Sequence, residues 1–158
     1  MNVKTAVNRI ASYLIENNRT ITFAESATAG LLASTFTDFP GVSACFKGSI
    51  ISYSDEVKAE LLNIDKAIID EYSAVSIKVC DLMVKNVAKM FNADYAISVT
   101  GYAGPTGGSK SDPIGTVYIG IKTPSNTLVL RKYYPDMNRN EIRMNVVIDA
   151  FSYLAENL

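Results

Sequence analysis

One apolar stripe in the middle of the chain restricts the fold more than any other feature. Its members recur every three or four residues, the spacing of a helix with one buried face; they are Val75, Val79, Leu82, Met83, Val87, Met90 and Phe91. A short apolar run at 95–99 follows and is typical of a buried strand. A long helix that leads into a buried strand indicates an α/β protein. We assign the stripe to core packing and not to a ligand site.

The remaining segments continue this alternation of helices and strands. Strands are predicted at 21–24, 48–53, 116–122 and 128–134, the last two forming a hairpin. Helices are predicted from Val3, over 28–37 and 55–62, near 66–71, and after a capping-box pattern at 138–141. This order predicts a three-layer α/β/α sandwich with a mixed sheet. No linker interrupts it, so we expect a single domain over residues 1–158.

The composition excludes several classes of protein. The 158 residues carry a net charge of −1 and are 48% hydrophobic. This charge implies no basic surface for nucleic acid. No apolar run reaches the roughly 18 residues that suggest a membrane span, and the start of the chain lacks the apolar core of a signal peptide. We therefore expect a cytoplasmic protein that binds neither nucleic acid nor membrane.

The chain contains no histidine, which limits its chemistry severely. Ser-His-Asp triads, Cys-His pairs and the commonest metal ligand are all excluded. The carboxylates show no clustered ligand spacing, and the only cysteines, Cys45 and Cys80, lie in apolar surroundings. We expect two buried thiols, no metal and no cofactor. The base of any enzyme built on this chain must be a carboxylate, a lysine, a tyrosine or a bound water.

A glycine-rich loop separates two of the predicted strands. It holds Gly101, Gly104, Gly107 and Gly108, with hydroxyl groups from Thr100 and Thr106. Glycine permits a left-handed backbone and lets bare N–H groups approach a ligand. The loop therefore suits an anionic group such as phosphate. The alternative is a long, mobile connection.

Two further segments carry candidate side chains. Ser26 and Thr28 lie where the first strand gives way to a helix, a place that binds anions but equally one where a hydroxyl only caps the helix. Ser43 and Lys58 lie before and after the second strand. On pattern alone these two are an ordinary loop hydroxyl and a solvated helix lysine.

Together these segments resemble the C-terminal domain of the CinA (competence/damage-inducible) family. The family patterns Glu-Ser-Cys-Thr-Gly-Gly, Pro-Gly-Ser-Ser-Ala and Tyr-Ser-Asn-x-x-Lys correspond to 25–30, 40–44 and 53–58. The stretches 100–108 and 113–117 match closely, and 73–76 matches Gly-Ala-Val-Ser with a serine for the glycine. The chain departs from these patterns at Ala27, Ala29, Val42 and Ser73.

The resemblance implies a nicotinamide-nucleotide amidase, which hydrolyses nicotinamide mononucleotide to nicotinic acid mononucleotide and ammonia. It implies a serine–lysine dyad, in agreement with the missing histidine, with Ser43 as the nucleophile, Lys58 as its base and Tyr53 in support. It also implies a homo-oligomer, most simply a dimer. The substrate-binding residues are then expected to be Ser26, Thr28, Gly30, Thr100, Gly101, Gly104, Gly107, Gly108 and, towards the phosphate, Arg143. The alternatives are a catalytically weak or inactive paralogue that binds a nucleotide or phosphate ligand, and a purely structural protein.

Two physical requirements apply to the proposed base. A free lysine has a pKa of about 10.4, so burial or a nearby cation must lower it; candidate cations are Lys47, Arg139 and Arg143. The extended segment 48–53 spans about 20 Å and separates Ser43 from Lys58. Either the ends of this segment fold back, or Ser43 of one subunit meets Lys58 of another. Backbone N–H groups are the simplest oxyanion hole.

Overall fold

The computed structural model describes all 158 residues and contains one five-stranded sheet. The strands are β1 (Ile21–Glu25), β2 (Phe46–Ile51), β3 (Tyr95–Gly101), β4 (Thr116–Lys122) and β5 (Thr127–Tyr133). Their order across the sheet is β2-β1-β3-β4-β5. Strand β1 is parallel to β2 and β3, whereas β3, β4 and β5 pair antiparallel. The sheet is therefore mixed, as predicted.

Six α-helices cover the two faces of the sheet. They are α1 (Val3–Glu16), α2 (Leu31–Thr37), α3 (Asp55–Leu61), α4 (Lys66–Tyr72), α5 (Ile77–Phe91) and α6 (Arg139–Glu156). Helices α1, α2 and α6 share one apolar core with the sheet, and α4 and α5 share a smaller core on the other face. The predicted three-layer α/β/α sandwich is confirmed. None of the helices is long and apolar enough to cross a membrane.

Local signals account for several helix ends. The Asn2 side chain accepts from Thr5 N at the start of α1, and Ser76 caps α5 in the same way. Asn138 and Glu141 form the reciprocal capping box that begins α6. These caps satisfy backbone donors that have no partner within the first helical turn.

Helix α2 begins three residues later than predicted, at Leu31 and not at Thr28. Ala29 and Gly30 adopt left-handed backbone conformations, with φ of 49° and 96°. Such residues cannot continue a right-handed helix, so 26–30 forms a separate turn. This turn connects the carboxyl end of β1 to α2.

The parallel strands bring three connections to one edge of the sheet. Glu25, the last residue of β1, is in register with Ile51 on β2 and with Val99 on β3. The chain segments that follow β1, β2 and β3 therefore leave the sheet side by side. Crevices at the carboxyl ends of strands are where open α/β sheets commonly bind ligands.

Candidate active site

A cavity of about 220 Å³ lies at the edge where β1, β2 and β3 end. Each of the three connections contributes to its wall, and α6 supplies one side chain from the opposite face. The lining residues that carry polar or charged groups are Ser26, Tyr53, Asp55, Lys58, Thr100, Tyr102 and Arg139. The cavity is therefore small, with polar and apolar residues in its wall, and it is built from distant parts of the sequence.

A buried lysine and a serine meet in this cavity. Lys58 lies on α3 and is only 2% exposed, and its Nζ donates to Ser26 Oγ at 3.3 Å. A second, longer contact of 3.5 Å joins Nζ to the backbone oxygen of Tyr53. Burial lowers the pKa of Lys58, and the nearby carboxylates of Asp55 and Glu56 oppose that effect. Desolvation, and not a neighbouring cation, is thus what favours a neutral, basic amine here.

The ends of two adjacent strands position this pair. Ser52 N, just after β2, donates to Glu25 O at 2.8 Å and continues the pairing of β2 with β1. The Ser54 side chain then caps α3 by accepting from Val57 N. Helix α3 therefore starts immediately beyond the sheet edge and places Lys58 beside the turn that carries Ser26.

The turn at 26–30 is held by a buried carboxylate. Glu25 is fully buried, and its side chain accepts from Gly30 N, Leu32 N, Ala33 N and Ser49 Oγ at 2.9–3.0 Å. Four donors can stabilise an ionised carboxylate away from water. No sequence motif points to this role of Glu25. The available signal was an acidic residue just before a predicted helix start.

Arg143 also braces this turn. Its Nη2 donates to the Thr28 backbone oxygen at 2.8 Å, and its Nε is buried without a partner. Thr28 is fully buried, and its Oγ1 likewise has no partner. Neither residue lines the cavity. Their roles in substrate binding stay predictions. The contact that the structure shows, from Arg143 to Thr28, stabilises the turn.

The structure does not bring Ser43 to Lys58 within the chain. Ser43 is exposed in a short 3-10 turn, Val42–Ala44, that precedes β2, whereas Lys58 follows β2. The six residues of β2 lie between them, with one irregularity of the strand pairing near Lys47, and fully extended they would span about 20 Å at ~3.3 Å per residue. The first alternative, in which this segment folds back, does not hold within one chain, because β2 stays paired with β1 from Phe46 to Ile51. The alternative, in which Ser43 of a second subunit meets Lys58, stays a prediction.

The glycine-rich loop contributes to the cavity only at its start. Thr100 Oγ1 donates to Ala74 O at 2.8 Å and holds the α4–α5 connection against β3. Gly101 lines the wall, and a Cβ there would lie 2.6 Å from Val117 Cγ2. Gly107 and Gly108 lie outside the lining, in the part of the loop nearer solvent. Close packing is thus the visible reason for the glycine at Gly101.

Tyr53 and Arg139 form one side of the opening. Arg139 Nη2 donates to Tyr53 Oη at 2.8 Å, and Nη1 donates to the Gly104 backbone oxygen at 2.7 Å. The Tyr53 side chain is more than half exposed, at 57%. Arg139 is predicted from the sequence only as a cation near the lysine, whereas the structure places it in the cavity wall. A fixed guanidinium at this position adds the positive charge that an anionic ligand needs.

Comparisons with known proteins agree with the fold and the motifs. The family model described as the CinA C-terminal domain matches residues 3–158. A CinA-like protein of Fervidobacterium nodosum is 41% identical over 145 residues, covering 92% of this chain and 35% of the relative. Another from Prochlorococcus marinus is 48% identical over 142 residues, covering 87% and 34%. The chain thus spans about a third of the length of these curated relatives.

Solved structures show the same architecture over nearly the whole chain. A competence damage-inducible protein A from Klebsiella pneumoniae superposes with a TM-score of 0.93 at 29% identity, covering 99% of this chain and 96% of that one. A competence/damage inducible protein from Agrobacterium tumefaciens gives 0.94 at 29% identity, covering 99% and 95%. Together with the family match and the curated relatives, this shows that the chain belongs to the CinA C-terminal domain family.

Proposed function

We propose that this chain is an amidase that hydrolyses nicotinamide mononucleotide to nicotinic acid mononucleotide and ammonia, with Ser26 as the nucleophile and Lys58 as its base. The observation that carries the proposal is the 3.3 Å contact between Lys58 Nζ and Ser26 Oγ in a buried site. This assignment moves the nucleophile from Ser43 to Ser26. The substrate comes from the family resemblance, and the reaction type from the serine–lysine pair.

The chemistry takes two steps. Neutral Lys58 accepts the Ser26 proton while Oγ attacks the carboxamide carbon, and the proton then passes to the leaving nitrogen, which departs as ammonia. The product of this step is an ester between Ser26 and the pyridine carboxyl group. In the second step Lys58 takes a proton from water, and the resulting hydroxide attacks the ester. The tetrahedral intermediate then collapses, which releases the carboxylic acid, and the proton held by Lys58 returns to Ser26 Oγ.

Backbone donors beside Ser26 can stabilise the oxyanion that forms in each step. The N–H groups of Ala27 and Thr28 donate no hydrogen bond within the chain, although both residues are buried. Groups left free in this way next to a nucleophile serve as an oxyanion hole in other serine hydrolases. Glu25 and Arg143, which hold the turn in place, would keep these donors rigid.

The cavity sets which part of the substrate it can take. At about 220 Å³ it is smaller than the ~300–1,000 Å³ typical of ligand pockets. It suits the carboxamide-bearing ring, with the ribose and phosphate extending past the opening. Arg139 at that opening is the cation placed to meet the phosphate.

An ammonia-release assay tests the proposal, with Ser26→Ala and Ser43→Ala as the matched pair. We expect turnover in the wild-type protein and in Ser43→Ala, and none above background in Ser26→Ala. Loss of turnover in Ser43→Ala with retention in Ser26→Ala would return the nucleophile to Ser43 and require a second subunit. Nucleotide binding by calorimetry without any ammonia release would support the inactive paralogue.

A further inference from the structure

Asp55 stands at the rim of the cavity beside the buried lysine. It is the first residue of α3, and its Oδ1 lies 3.8 Å from Lys58 Nζ. This distance is too long for a hydrogen bond but within the range of a strong interaction between opposite charges. The Asp55 side chain is 57% exposed, whereas that of Lys58 is 2% exposed. A solvent-exposed carboxylate thus lies beside an amine that is almost entirely shielded from water.

The other charged and titratable groups around Lys58 interact with it less directly. Burial lowers the pKa of Lys58, and the two carboxylates raise it, Asp55 more than Glu56. The buried Glu25 carboxylate at the end of β1 is occupied by its four donors. The remaining groups around the cavity are the phenols of Tyr53 and Tyr102 and the guanidinium of Arg139.

We propose that the Asp55 carboxylate sets the pH range over which Lys58 can act as a base, from the rim of the site and without a hydrogen bond to Ser26. The inference rests on the proposed function only in treating Lys58 as the base. A negative charge at this distance favours protonated Lys58, and a protonated amine cannot take the Ser26 proton. Asp55 is therefore a positioning residue that acts through its charge. At lower pH it keeps more of Lys58 protonated and so inactive as a base.

The proposal predicts a crossing pair of pH–rate profiles. Removal of the Asp55 charge makes Lys58 lose its proton at lower pH, so more of the enzyme is active on the ascending limb. The same change makes Lys58 a weaker base, so the plateau at high pH falls slightly. On the ascending limb we expect kcat/KM of Asp55→Asn to exceed that of the wild type by roughly two- to fivefold, the range of an ion pair with one exposed partner.

The experiment compares Asp55→Asn with Glu56→Gln and Asp55→Glu. All three changes fall in the first turn of α3, so the two neutral variants lose similar helix-dipole stabilisation. Glu56 is fully exposed and lies outside the cavity wall. We expect a clear shift of the profile to lower pH for Asp55→Asn, a smaller one for Glu56→Gln, and a profile near that of the wild type for Asp55→Glu.

A direct titration of Lys58 separates this inference from the proposed function. Nuclear magnetic resonance of ¹³C-labelled lysine, with the Lys58 signal assigned by its loss in Lys58→Arg, follows the amine without any substrate. A shift to lower pH in Asp55→Asn larger than in Glu56→Gln supports the role of Asp55, even if the protein releases no ammonia from the nucleotide. Equal shifts in the two variants, or none in Asp55→Asn, would overturn it.

Discussion

Two connections leave the sheet side by side, and they use small residues for different purposes. The turn at 26–30 after β1 presents Ser26 to Lys58 and is held by ionic and hydrogen-bonding groups, chiefly Glu25 and Arg143. The loop that follows β3 has many more glycines but contributes only its first few residues to the cavity. Its glycines are explained by left-handed backbone conformations together with close packing.

The contrast shows that glycine content alone does not identify the connection that carries the serine beside Lys58. Added Cβ atoms at Gly104 and Gly108 would lie 2.8 Å from Ile114 Cγ2 and 2.9 Å from Ile114 N. These residues let the loop fold back on itself beside β4. The turn after β1, in contrast, includes Ala29 in a left-handed conformation and still carries Ser26, the proposed nucleophile. The predictions below compare the turn at 26–30, called the serine turn, with the loop between β3 and β4, called the packed loop.

The largest effect is expected when the lysine that meets the turn is removed. Lys58→Met should lower kcat/KM by about 10²- to 10⁴-fold, because the Ser26 proton loses its acceptor. Since residues of one unit are not additive, Lys58→Met combined with Ser26→Ala should be little worse than either single variant. Steady-state ammonia release measures both effects. Multiplicative losses in the double variant would break the link between the two residues.

The same Lys58→Met variant should be more stable than the wild type at neutral pH. A lysine whose pKa is lowered on folding destabilises the folded state at low pH. This penalty fades as the pH rises from the lowered value towards the unfolded value of about 10.4. Urea unfolding at neutral pH and near pH 10 measures the difference. The gain in unfolding free energy should shrink at the higher pH.

On the packed loop, Gly115→Ala should cost about 3 kcal/mol of unfolding free energy. Its φ is +95°, and an added Cβ would clash with Tyr134 O, so backbone strain and overpacking combine. Gly107→Ala is the matched control, since its φ is +99° and its nearest contact is a Tyr102 side-chain atom at 3.3 Å. We expect about 1 kcal/mol for the control. Equal losses would mean that packing plays no part at Gly115.

The hydrogen bonds of Glu25 that hold the serine turn should affect both stability and activity. Glu25→Gln replaces one acceptor oxygen by an NH₂ group among four donors, at a cost of about 2–3 kcal/mol. Because the turn carries Ser26, kcat should fall more than KM rises. Urea unfolding and steady-state kinetics on the same preparation check this, with Glu60→Gln on the exposed side of α3 as the control. Unchanged kcat in a destabilised variant would show that these hydrogen bonds serve folding alone.

The smallest effect is expected at Ala29. Ala29→Gly relieves a left-handed conformation that costs an alanine about 1–2 kcal/mol, but it also adds flexibility to the unfolded chain. The net gain in unfolding free energy should be about 0.5–1 kcal/mol. Thermal unfolding of the variant beside Ala33→Gly, which lies inside α2 and should be destabilised, gives the sign. A loss at Ala29 would mean that its methyl group packs favourably.

Much of the fold could be predicted because its signals are local. The stripe at 75–91 and the short apolar runs identify helices and strands by their spacing, and the alternation of elements identifies the layers. The start of α2 could not be placed, because the left-handed turn at Ala29 gives no periodic signal. The stripe also began two residues too early, since Val75 lies in the α4–α5 connection and not in α5.

The site was harder to predict, because it depends on which strand ends meet. Ser26 and Lys58 each follow a strand, and β1, α2 and β2 form a βαβ unit, which makes the strands parallel. That topology alone brings the residues after β1 and β2 to one edge. Ser43 precedes β2 and so belongs to the opposite edge. Contacts such as Arg139 with Gly104 depend on loop paths that no sequence pattern specifies.

The central place of β1 has a consequence for the time course of folding. β1 pairs on one side with β2, which follows it closely in the chain, and on the other with β3, which follows much later. Contacts between residues far apart in sequence form slowly, whereas helices form early. We therefore expect the cavity wall at Thr100 and Gly101 to form late in folding. During refolding from urea, the helical circular dichroism signal should recover before any ammonia-releasing activity does. The chain would then have its secondary structure before the cavity is complete.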